Sequence, residues 1–369
     1  MAGNLTRRAI LASVVAGACS HKRAARYHGW LFVASGSERA VAVADLAFFR
    51  REKTIPLGYA PNQLFHAGGR VFAVCHEGRS LVEIDPRELR VAGKIALPGK
   101  PVAARLAPDG KTAIILTDEP PALMVVDLGN GRITARLPLP GMASNLDVNY
   151  HQAAMVIPSR NLIARVSLPE LKLTGTTDVG VPCGVLRFRR DGKTILAGAA
   201  TAREIVTIDG ATGALLARLP LPIAPSRFCF NGDGGQMFVT GVGADAVAVV
   251  SVFQNEVDQT ILAGRTPWAM AVSESRNLLF VTNMESGDLT ILDIETRSRA
   301  ASVHVGETPG DILLTPDGEY ALVLDQRTGN VSVVRISTVL DRKVRTKPLF
   351  TIFPTVADAR SAIIVPFES

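Results

Sequence analysis

The 369-residue sequence predicts an all-β fold, a β-propeller in which eight four-stranded blades close into a ring. Three observations support this prediction. Short β-rich runs are separated by Gly, Asn, Asp and Pro, no helix-period segment lies between them, and the pattern returns about every 42 residues. One small sheet cannot bury both of its faces alone, so such units must stack around an axis.

Two independent anchors define the repeat. The first is the last residue of a run such as Val-Val-Asp or Ile-Leu-Asp, and it recurs at spacings of 40 or 42 residues. Its copies are Asp45, Asp85, Asp127, Ser167, Asp209, Ser251, Asp293 and Arg335. The second is an Asp-Gly turn at Asp109, Asp191, Asp233 and Asp317, with weaker copies at Gly68, His151, Ser275 and Ala359. Eight anchors favour eight blades, and seven blades is the alternative if the terminal copies merge.

The two ends of the repeat region predict how the ring closes. The first unit begins directly at its second strand, Trp30–Ser35, and lacks an innermost strand. The C-terminal stretch Thr355–Val365 is expected to supply that strand, which would remove the free sheet edges that favour aggregation. Residues 338–348 are longer and more basic than their counterparts. We interpret them as a solvated loop, with a docking element as the alternative.

The first residues have the layout of a bacterial export signal. Arg7 and Arg8 precede an apolar stretch, residues 9–18, which is too short to span a membrane. The run Thr-Arg-Arg-Ala-Ile-Leu resembles a twin-arginine export motif. The run Ala-Gly-Ala-Cys that ends at Cys19 resembles a lipobox, which implies that Cys19 is acylated. A plain cleaved signal is the alternative.

This layout predicts three segments and a cellular location. We expect residues 1–18 to be the signal, residues 19–29 a tether and residues 30–369 a single propeller domain. Ser20 is not the Asp that retains lipoproteins at the inner membrane in related systems. The expected location is therefore the periplasm or the outer membrane, as a lipoprotein of the cell envelope.

Composition excludes several classes of protein. The formal charge of +6 is spread along the chain, so nucleic acid is not expected as a partner. No apolar run reaches the roughly 18 residues of a spanning helix. The lipid on Cys19 is therefore the only expected contact with the membrane.

Besides Cys19 the chain has Cys75, Cys183 and Cys229, without a CxxC pair or zinc spacing. Cys183 and Cys229 map to different levels, so a disulfide between them is not expected.

Alternation along the inner strands separates an apolar face from a polar one. The apolar positions include Leu314, Ile312, Phe228 and Leu186, which we expect to pack between blades. The polar positions are expected to line a central channel. Candidate ligand-binding residues in that channel are Arg105, Arg187, Arg227, Asp147, Asp311 and His66.

One end of the ring is expected to carry the binding loops. We call this end the rim; it holds the loops between second and third strands and the loops that lead into each inner strand. Candidate rim residues are Arg39, Arg79, Arg203, Arg265 and Lys100. A basic rim above a channel with arginines would attract an anionic small molecule or an acidic protein patch. The alternative is that these arginines are ordinary solvated loop residues.

Three stretches carry a resemblance to a known family. Leu279–Asn283, Thr315–Gly318 and Val305–Pro309 resemble the bacterial YVTN-repeat propellers, which are exported and have surface-layer-like repeats. The resemblance covers roughly residues 30–365. It implies a propeller outside the cytoplasm.

Enzyme motifs are largely missing from the sequence. It has no GxSxG, HExxH, P-loop or dinucleotide-binding glycine turn. Two tryptophans, Trp30 and Trp268, are too few for a quinoprotein dehydrogenase propeller. The sequence therefore favours a non-catalytic module that binds a protein or an anionic small molecule, with no metal or cofactor.

Two alternatives come from resemblances. The haem-binding propellers of cytochrome nitrite reductases have similar repeats and eight blades. That resemblance implies a haem in the channel, with His66 as axial ligand and Arg105, Arg187 and Arg227 for its carboxylates. A Cys-x-x-Cys-His site for c-type haem is absent.

The second alternative is a lactonase. Val281–Glu285 resembles a stretch of bacterial sugar-lactone hydrolases, which are also propellers. Such an enzyme would need groups that activate water and stabilise an oxyanion. Glu285, His76 and Arg79 are the candidates for these roles.

Overall fold

A computed structural model describes residues 27–340 and 347–367, and there the chain forms eight four-stranded antiparallel sheets. The strands of the first half are β1 (Gly29–Ser35), β2 (Ala40–Asp45), β3 (Arg50–Pro56), β4 (Pro61–Ala67), β5 (Arg70–Cys75), β6 (Ser80–Asp85), β7 (Arg90–Ala96), β8 (Pro101–Leu106), β9 (Thr112–Asp118), β10 (Pro121–Asp127), β11 (Arg132–Pro138), β12 (Asn145–Val148), β13 (Gln152–Ile157), β14 (Leu162–Ser167), β15 (Lys172–Asp178) and β16 (Val185–Phe188).

The second half repeats the pattern and adds one short helix. It contains β17 (Thr194–Ala199), β18 (Glu204–Asp209), β19 (Leu215–Pro220), β20 (Ala224–Phe230), β21 (Gln236–Val242), β22 (Ala246–Ser251), β23 (Glu256–Leu262), β24 (Pro267–Ser273), β25 (Leu278–Asn283), β26 (Asp288–Asp293), β27 (Ser298–His304), β28 (Pro309–Leu314), β29 (Tyr320–Asp325), β30 (Asn330–Arg335), α1 (Ile336–Leu340), β31 (Leu349–Pro354) and β32 (Ala359–Pro366). Single 3₁₀ turns occupy Pro158–Arg160 and Glu274–Arg276.

The sheets form a closed ring of eight blades. Blade 1 has the strand order β3-β2-β1-β32, and each of the other blades consists of four consecutive strands. The inner strands β4, β8, β12, β16, β20, β24, β28 and β32 each contact the next one around the ring, and β32 contacts β4. The prediction of eight blades is therefore confirmed, and seven is excluded.

The first anchor coincides with the last residue of the third strand in all eight blades. Aspartate recurs there because its carboxylate accepts main-chain N–H groups of the following turn. The Asp85 carboxylate, for example, accepts from Arg87 at 2.7 Å, and the Asp209 carboxylate accepts from Thr212 at 2.7 Å. Where Asp occupies the anchor, this local hydrogen bond marks where the outer hairpin turns.

The second anchor marks the turn between the inner and second strands. Asp109 accepts from the Lys111 N–H at 2.8 Å, and Gly110 has a φ of 68° that suits glycine.

The prediction of a copy of this turn at Ala359 is wrong, because Ala359 is the first residue of β32. In blade 8 the fourth strand starts 14 residues after Arg335, whereas in blade 7 it starts five residues after Asp293. This insertion shifts the end of the repeat.

The inserted stretch was expected to be a solvated loop. Its first residues instead form α1, where the Thr338 hydroxyl donates to the Arg335 carbonyl at 2.8 Å. Residues 341–346 lie outside the described part of the chain. No helix among the described residues is long and apolar enough to cross a membrane.

The ring closes as predicted, through the C-terminal strand. β1 pairs with β2 on one side and with β32 on the other, in a register that runs from Gly29 opposite Pro366 to Ala34 opposite Ser361. The closing strand occupies Ala359–Pro366 rather than Thr355–Val365. Both termini of the fold therefore lie in one blade.

The apolar faces of the inner strands pack between blades, as expected. Leu186 and Phe188 of blade 5 share a core cluster with Val156 and Ile163 of blade 4. Phe228 and Ile312 are likewise buried in clusters that join strands of neighbouring blades. Burial of apolar surface at every blade interface stabilises the ring.

The three described cysteines are free thiols on different blades or loops. Cys75 and Cys183 are buried, and Cys229 is partly buried. Burial raises the pKa of each thiol to about 11, so none carries appreciable thiolate at neutral pH. Cys19 lies outside the described residues.

Candidate functional site

Polar side chains on three of the inner strands bond to a main-chain group of the neighbouring inner strand. The Gln63 amide donates to the Ala104 carbonyl at 2.8 Å and accepts from the Ala104 N–H at 3.0 Å. The Asp147 carboxylate accepts from the Phe188 N–H at 2.8 Å, and the Ser361 hydroxyl accepts from the Leu64 N–H at 3.0 Å. These bonds satisfy main-chain groups where inner strands approach without pairing. Asp147 therefore has a structural role in the channel.

A cavity of about 240 Å³ opens among the inner strands of blades 4 to 8. It is lined by polar groups from different blades, with Asn145 on β12, Arg187 on β16, Arg227 on β20 and Asp311 on β28. Asn145 is the first residue of its strand and Arg227 and Asp311 lie near the middle of theirs, whereas Arg187 is the third of the four residues of β16. We call this space the rim-side cavity.

Charge in the rim-side cavity is concentrated and partly desolvated. Burial lowers the pKa of the Arg227 guanidinium, Asp311 raises it, and repulsion from Arg187 lowers it again. Burial also lowers the pKa of Arg105. The charge of Arg187 lowers this pKa further, whereas the charge of Asp147 raises it. Three guanidinium groups thus share a channel with two carboxylates. The local excess of positive charge suits an anionic ligand.

Several buried polar atoms around the cavity have no hydrogen-bond partner among the described residues. They are Arg227 Nε, Asn145 Oδ1 and the indole nitrogen of Trp268. The Arg227 guanidinium lies over the Trp268 ring, 4.2 Å from its centroid. Arg187 donates only to the carbonyl of Leu186, at 2.8 Å. Because unmet buried groups are costly, this arrangement favours a ligand with both donors and acceptors.

The structure places His66 away from the channel arginines. His66 is exposed and lines a different cavity of about 320 Å³, together with Trp30, Arg87 and Phe367. It lies two positions before its turn, whereas Arg227 lies six before, a difference of about 13 Å along the channel at 3.3 Å per residue. His66 and Arg227 therefore lie at different levels of the channel, and they line different cavities.

The lactonase residues are also separated. Glu285 follows β25 in blade 7, whereas His76 and Arg79 follow β5 in blade 2. Both nitrogens of His76 already contact carboxylates. The three side chains therefore do not form one site.

The rim carries both signs of charge. Arg39, Arg79, Arg203 and Arg265 are exposed, but they belong to different blades or loops. Lys100 instead forms ion pairs with Glu119 at 3.0 Å and with Glu77 at 3.7 Å. These five residues lie on loops between second and third strands or on loops that lead into an inner strand, which is the rim end of the ring.

Three rim arginines occupy an unusual main-chain conformation. Arg39, Arg79 and Arg203 have φ values of 49°, 43° and 50° directly before a third strand. Blades 7 and 8 use Gly287 and Gly329 at the same place. A side chain is disfavoured in this region, so the turn geometry alone would favour glycine.

The structure reveals a charged cluster at the interface of blades 2 and 3 that the sequence analysis missed. His76 Nδ1 lies 3.0 Å from Glu77 Oε1, and His76 Nε2 lies 3.0 Å from Asp118 Oδ2. Burial lowers the pKa of this imidazole, but the hydrogen bonds to Asp118 and Glu77 outweigh it and the pKa is raised. The 42-residue separation of His76 and Asp118, one repeat, is the signal that could have found this pair.

The His76 cluster should make stability depend on pH. With a raised folded-state pKa, the protonated imidazole stabilises the fold fully below the unfolded pKa of about 6.5. This contribution is lost as the pH rises through the folded value. NMR titration should show a His76 pKa above that of an unfolded peptide, and His76→Gln should flatten the pH dependence of the melting temperature. His151→Gln, at an exposed turn, is the control. A His76 pKa at or below the peptide value would contradict this prediction.

Comparison with known proteins identifies the fold. No family model matches the chain. The seven-bladed β-propeller protein Rv1057 of Mycobacterium tuberculosis is 24% identical over 153 residues, which span 39% of this chain and 39% of that protein. The structure of dihydro-haem d1 dehydrogenase NirN superposes with a TM-score of 0.76 at 13% identity, covering 91% of this chain and 75% of that one.

Two further solved structures agree. Apo AztD from Citrobacter koseri has a TM-score of 0.70 at 15% identity and covers 92% of this chain and 98% of its own. Kuenenia stuttgartiensis hydrazine synthase has a TM-score of 0.58 at 18% identity, with 75% and 96% covered. At these identities the likeness shows a shared β-propeller fold, and function must be argued from the residues of the site.

Proposed function

We propose that this chain is an exported, lipid-anchored propeller of the YVTN-repeat type that binds an anionic small molecule, without catalysis, in the rim-side cavity. One observation carries the proposal: Arg187 and Arg227 project into a partly buried cavity, and Arg227 Nε has no hydrogen-bond partner there. Guanidinium groups bind carboxylate and phosphate oxygens through charge-assisted hydrogen bonds.

The surroundings of the two arginines strengthen this assignment. Neither guanidinium forms an ion pair within the described part of the chain, and Arg187 bonds only to the Leu186 carbonyl. Burial has the largest effect on the pKa of Arg227 and lowers it, Asp311 raises it, and repulsion from Arg187 lowers it further. A bound anion would relieve that repulsion in a space where electrostatic interactions are screened less than in bulk water.

Export and anchoring rest on the sequence. The twin-arginine-like motif and Cys19 lie outside the described residues, and the propeller begins at β1. The segment between Cys19 and β1 is long enough to act as the tether of a lipoprotein. Radiolabelled palmitate incorporated into the wild type but not into Cys19→Ser would support the anchor, and equal labelling would contradict it.

The binding proposal can be tested by tryptophan fluorescence. The Arg227 guanidinium covers the Trp268 ring, so an anion bound to Arg227 should change the emission of Trp268. We expect a saturable change on titration of the purified protein with succinate, citrate or inorganic phosphate. Arg187→Gln should weaken binding about 10- to 100-fold, since one hydrogen bond to a charged group is worth about 1.5–3 kcal/mol.

Two variants serve as controls. One tests whether the effect on affinity is specific to the arginines of the cavity, and the other tests whether the fluorescence signal comes from Trp268. Arg39→Gln, at the exposed rim, should leave the affinity unchanged. Trp268→Phe should abolish the fluorescence change while emission from Trp30 remains. The proposal fails if none of the three anions gives a saturable response below about 10 mM, or if Arg39→Gln weakens binding as much as Arg187→Gln.

A further inference from the structure

We infer that the ligand of the rim-side cavity is a zwitterion, a small α-amino acid that carries an ammonium group beside its carboxylate. This inference rests on the proposed function and deepens it. The carboxylate would meet Arg187 and Arg227, and the ammonium group would meet Asp311.

Hydrogen-bond acceptors on the cavity wall favour a ligand that carries a donor. Asn145 Oδ1 is buried and has no hydrogen-bond donor among the described residues. Burial raises the pKa of the Asp311 carboxyl, the charge of Arg227 lowers it, and no hydrogen-bond donor contributes. Asp311 thus lines the cavity without a donor among the described residues, and an ammonium group, which has three donors and no acceptor, can supply one.

Charge balance is the second argument. A ligand with carboxylates alone would satisfy the guanidinium groups but would bring a second negative charge into the cavity that holds Asp311. A zwitterion offers opposite charges to the two sides of the site. Because Asp311 lies on blade 8 and Arg187 on blade 5, these sides belong to separate inner strands.

The size of the cavity also favours a small ligand. The cavity volume of about 240 Å³ is below the range of about 300–1,000 Å³ that is typical for drug-sized ligands. A single amino acid is small enough for this space. The inner strands of five blades supply its walls.

The test uses two ligands that differ by one group. L-Aspartate is succinate with one hydrogen replaced by an ammonium group, so it carries the same two carboxylates and less net negative charge. In the Trp268 fluorescence titration of the full chain, we expect L-aspartate to bind at least tenfold more tightly than succinate. Charge attraction by the arginines alone predicts the reverse order.

Asp311→Asn provides the decisive variant. It should bring the affinity ratio of aspartate to succinate close to one, while succinate binding is retained or improved. Asp147→Asn is the matched control, because its amide oxygen can still accept the Phe188 N–H, and it should preserve the preference for aspartate.

The possible outcomes distinguish this inference from the proposed function. Succinate binding without a preference for aspartate overturns the zwitterion inference and leaves the anion site standing. An aspartate preference that survives Asp311→Asn also overturns the inference. Absence of binding by both ligands and by citrate and phosphate overturns both proposals.

Discussion

Deletion of residues 359–369 is expected to abolish cooperative folding. The deletion removes β32, which pairs with the whole of β1 and contacts the inner strands β4 and β28 on either side. Without it the ring is open, β1 becomes an unpaired edge, and buried residues such as Phe32 and Val33 are uncovered. Circular dichroism during heating should show no sharp transition, and size-exclusion chromatography should show aggregates.

Deletion of residues 368–369 alone is the matched control, because it leaves β32 complete. This shorter deletion should melt within a few degrees of the full chain. A monomeric protein that lacks residues 359–369 and still melts cooperatively near the full-length temperature would show that the other blade interfaces suffice to hold the ring.

Arg165→Ala should lower the free energy of unfolding by about 2–4 kcal/mol. The side chain leaves β14 in blade 4 and is almost fully buried, with 4% exposure. Its guanidinium donates to three consecutive carbonyls in a turn of blade 5: Gly210 at 3.1 Å, Ala211 at 2.7 Å and Thr212 at 3.1 Å. The variant would leave these acceptors without a donor and a void between two blades. Urea denaturation measures the difference.

Two further variants test the role of geometry at this position. Arg165→Lys keeps the charge but loses the planar arrangement of donors, so it should recover only part of the stability. Arg132→Ala removes an exposed arginine at the start of β11 and should change stability by no more than about 0.5 kcal/mol. If Arg165→Ala is as mild as Arg132→Ala, the carbonyl contacts do not stabilise the blade interface.

The repeat could be predicted from the sequence almost residue by residue, because its period is set by local chemistry. Five of the eight third strands end in an Asp whose carboxylate accepts an N–H of the following turn, as that of Asp85 does. The prediction failed at Ala359, where an insertion after Arg335 breaks the period. Counting residues from one anchor to the next predicts strand positions only while every turn keeps the same length.

The same period carries information about contacts between blades. Gln63 and Ala104 are 41 residues apart, Asp147 and Phe188 are also 41 apart, and His76 and Asp118 are 42 apart. Residues one repeat apart face each other across an interface. The His76 cluster was therefore accessible to sequence reasoning, whereas the Arg165 contact depends on a long side chain that reaches an outer turn.

The channel site was predicted only in part. Alternation along the inner strands predicted that Arg187, Arg227 and Asp311 face the channel, and in the structure all three line one cavity. The same alternation also grouped His66 with these residues. His66, however, lies closer to its turn, at another level of the channel, and lines a different cavity. Sequence alone also gave no sign of the unmet acceptor on Asn145, because hydrogen-bond satisfaction depends on side-chain positions.

The position of β1 has a mechanical consequence. β1 is the first strand of the fold and lies inside its sheet, with β2 on one side and β32 on the other. A pull transmitted through the N-terminal segment acts along β1, so it loads the hydrogen bonds to both neighbours together in shear instead of unzipping them one at a time. Tension on the N-terminal segment is thus shared between the first and the last strand that the structure describes, at the seam where the ring closes.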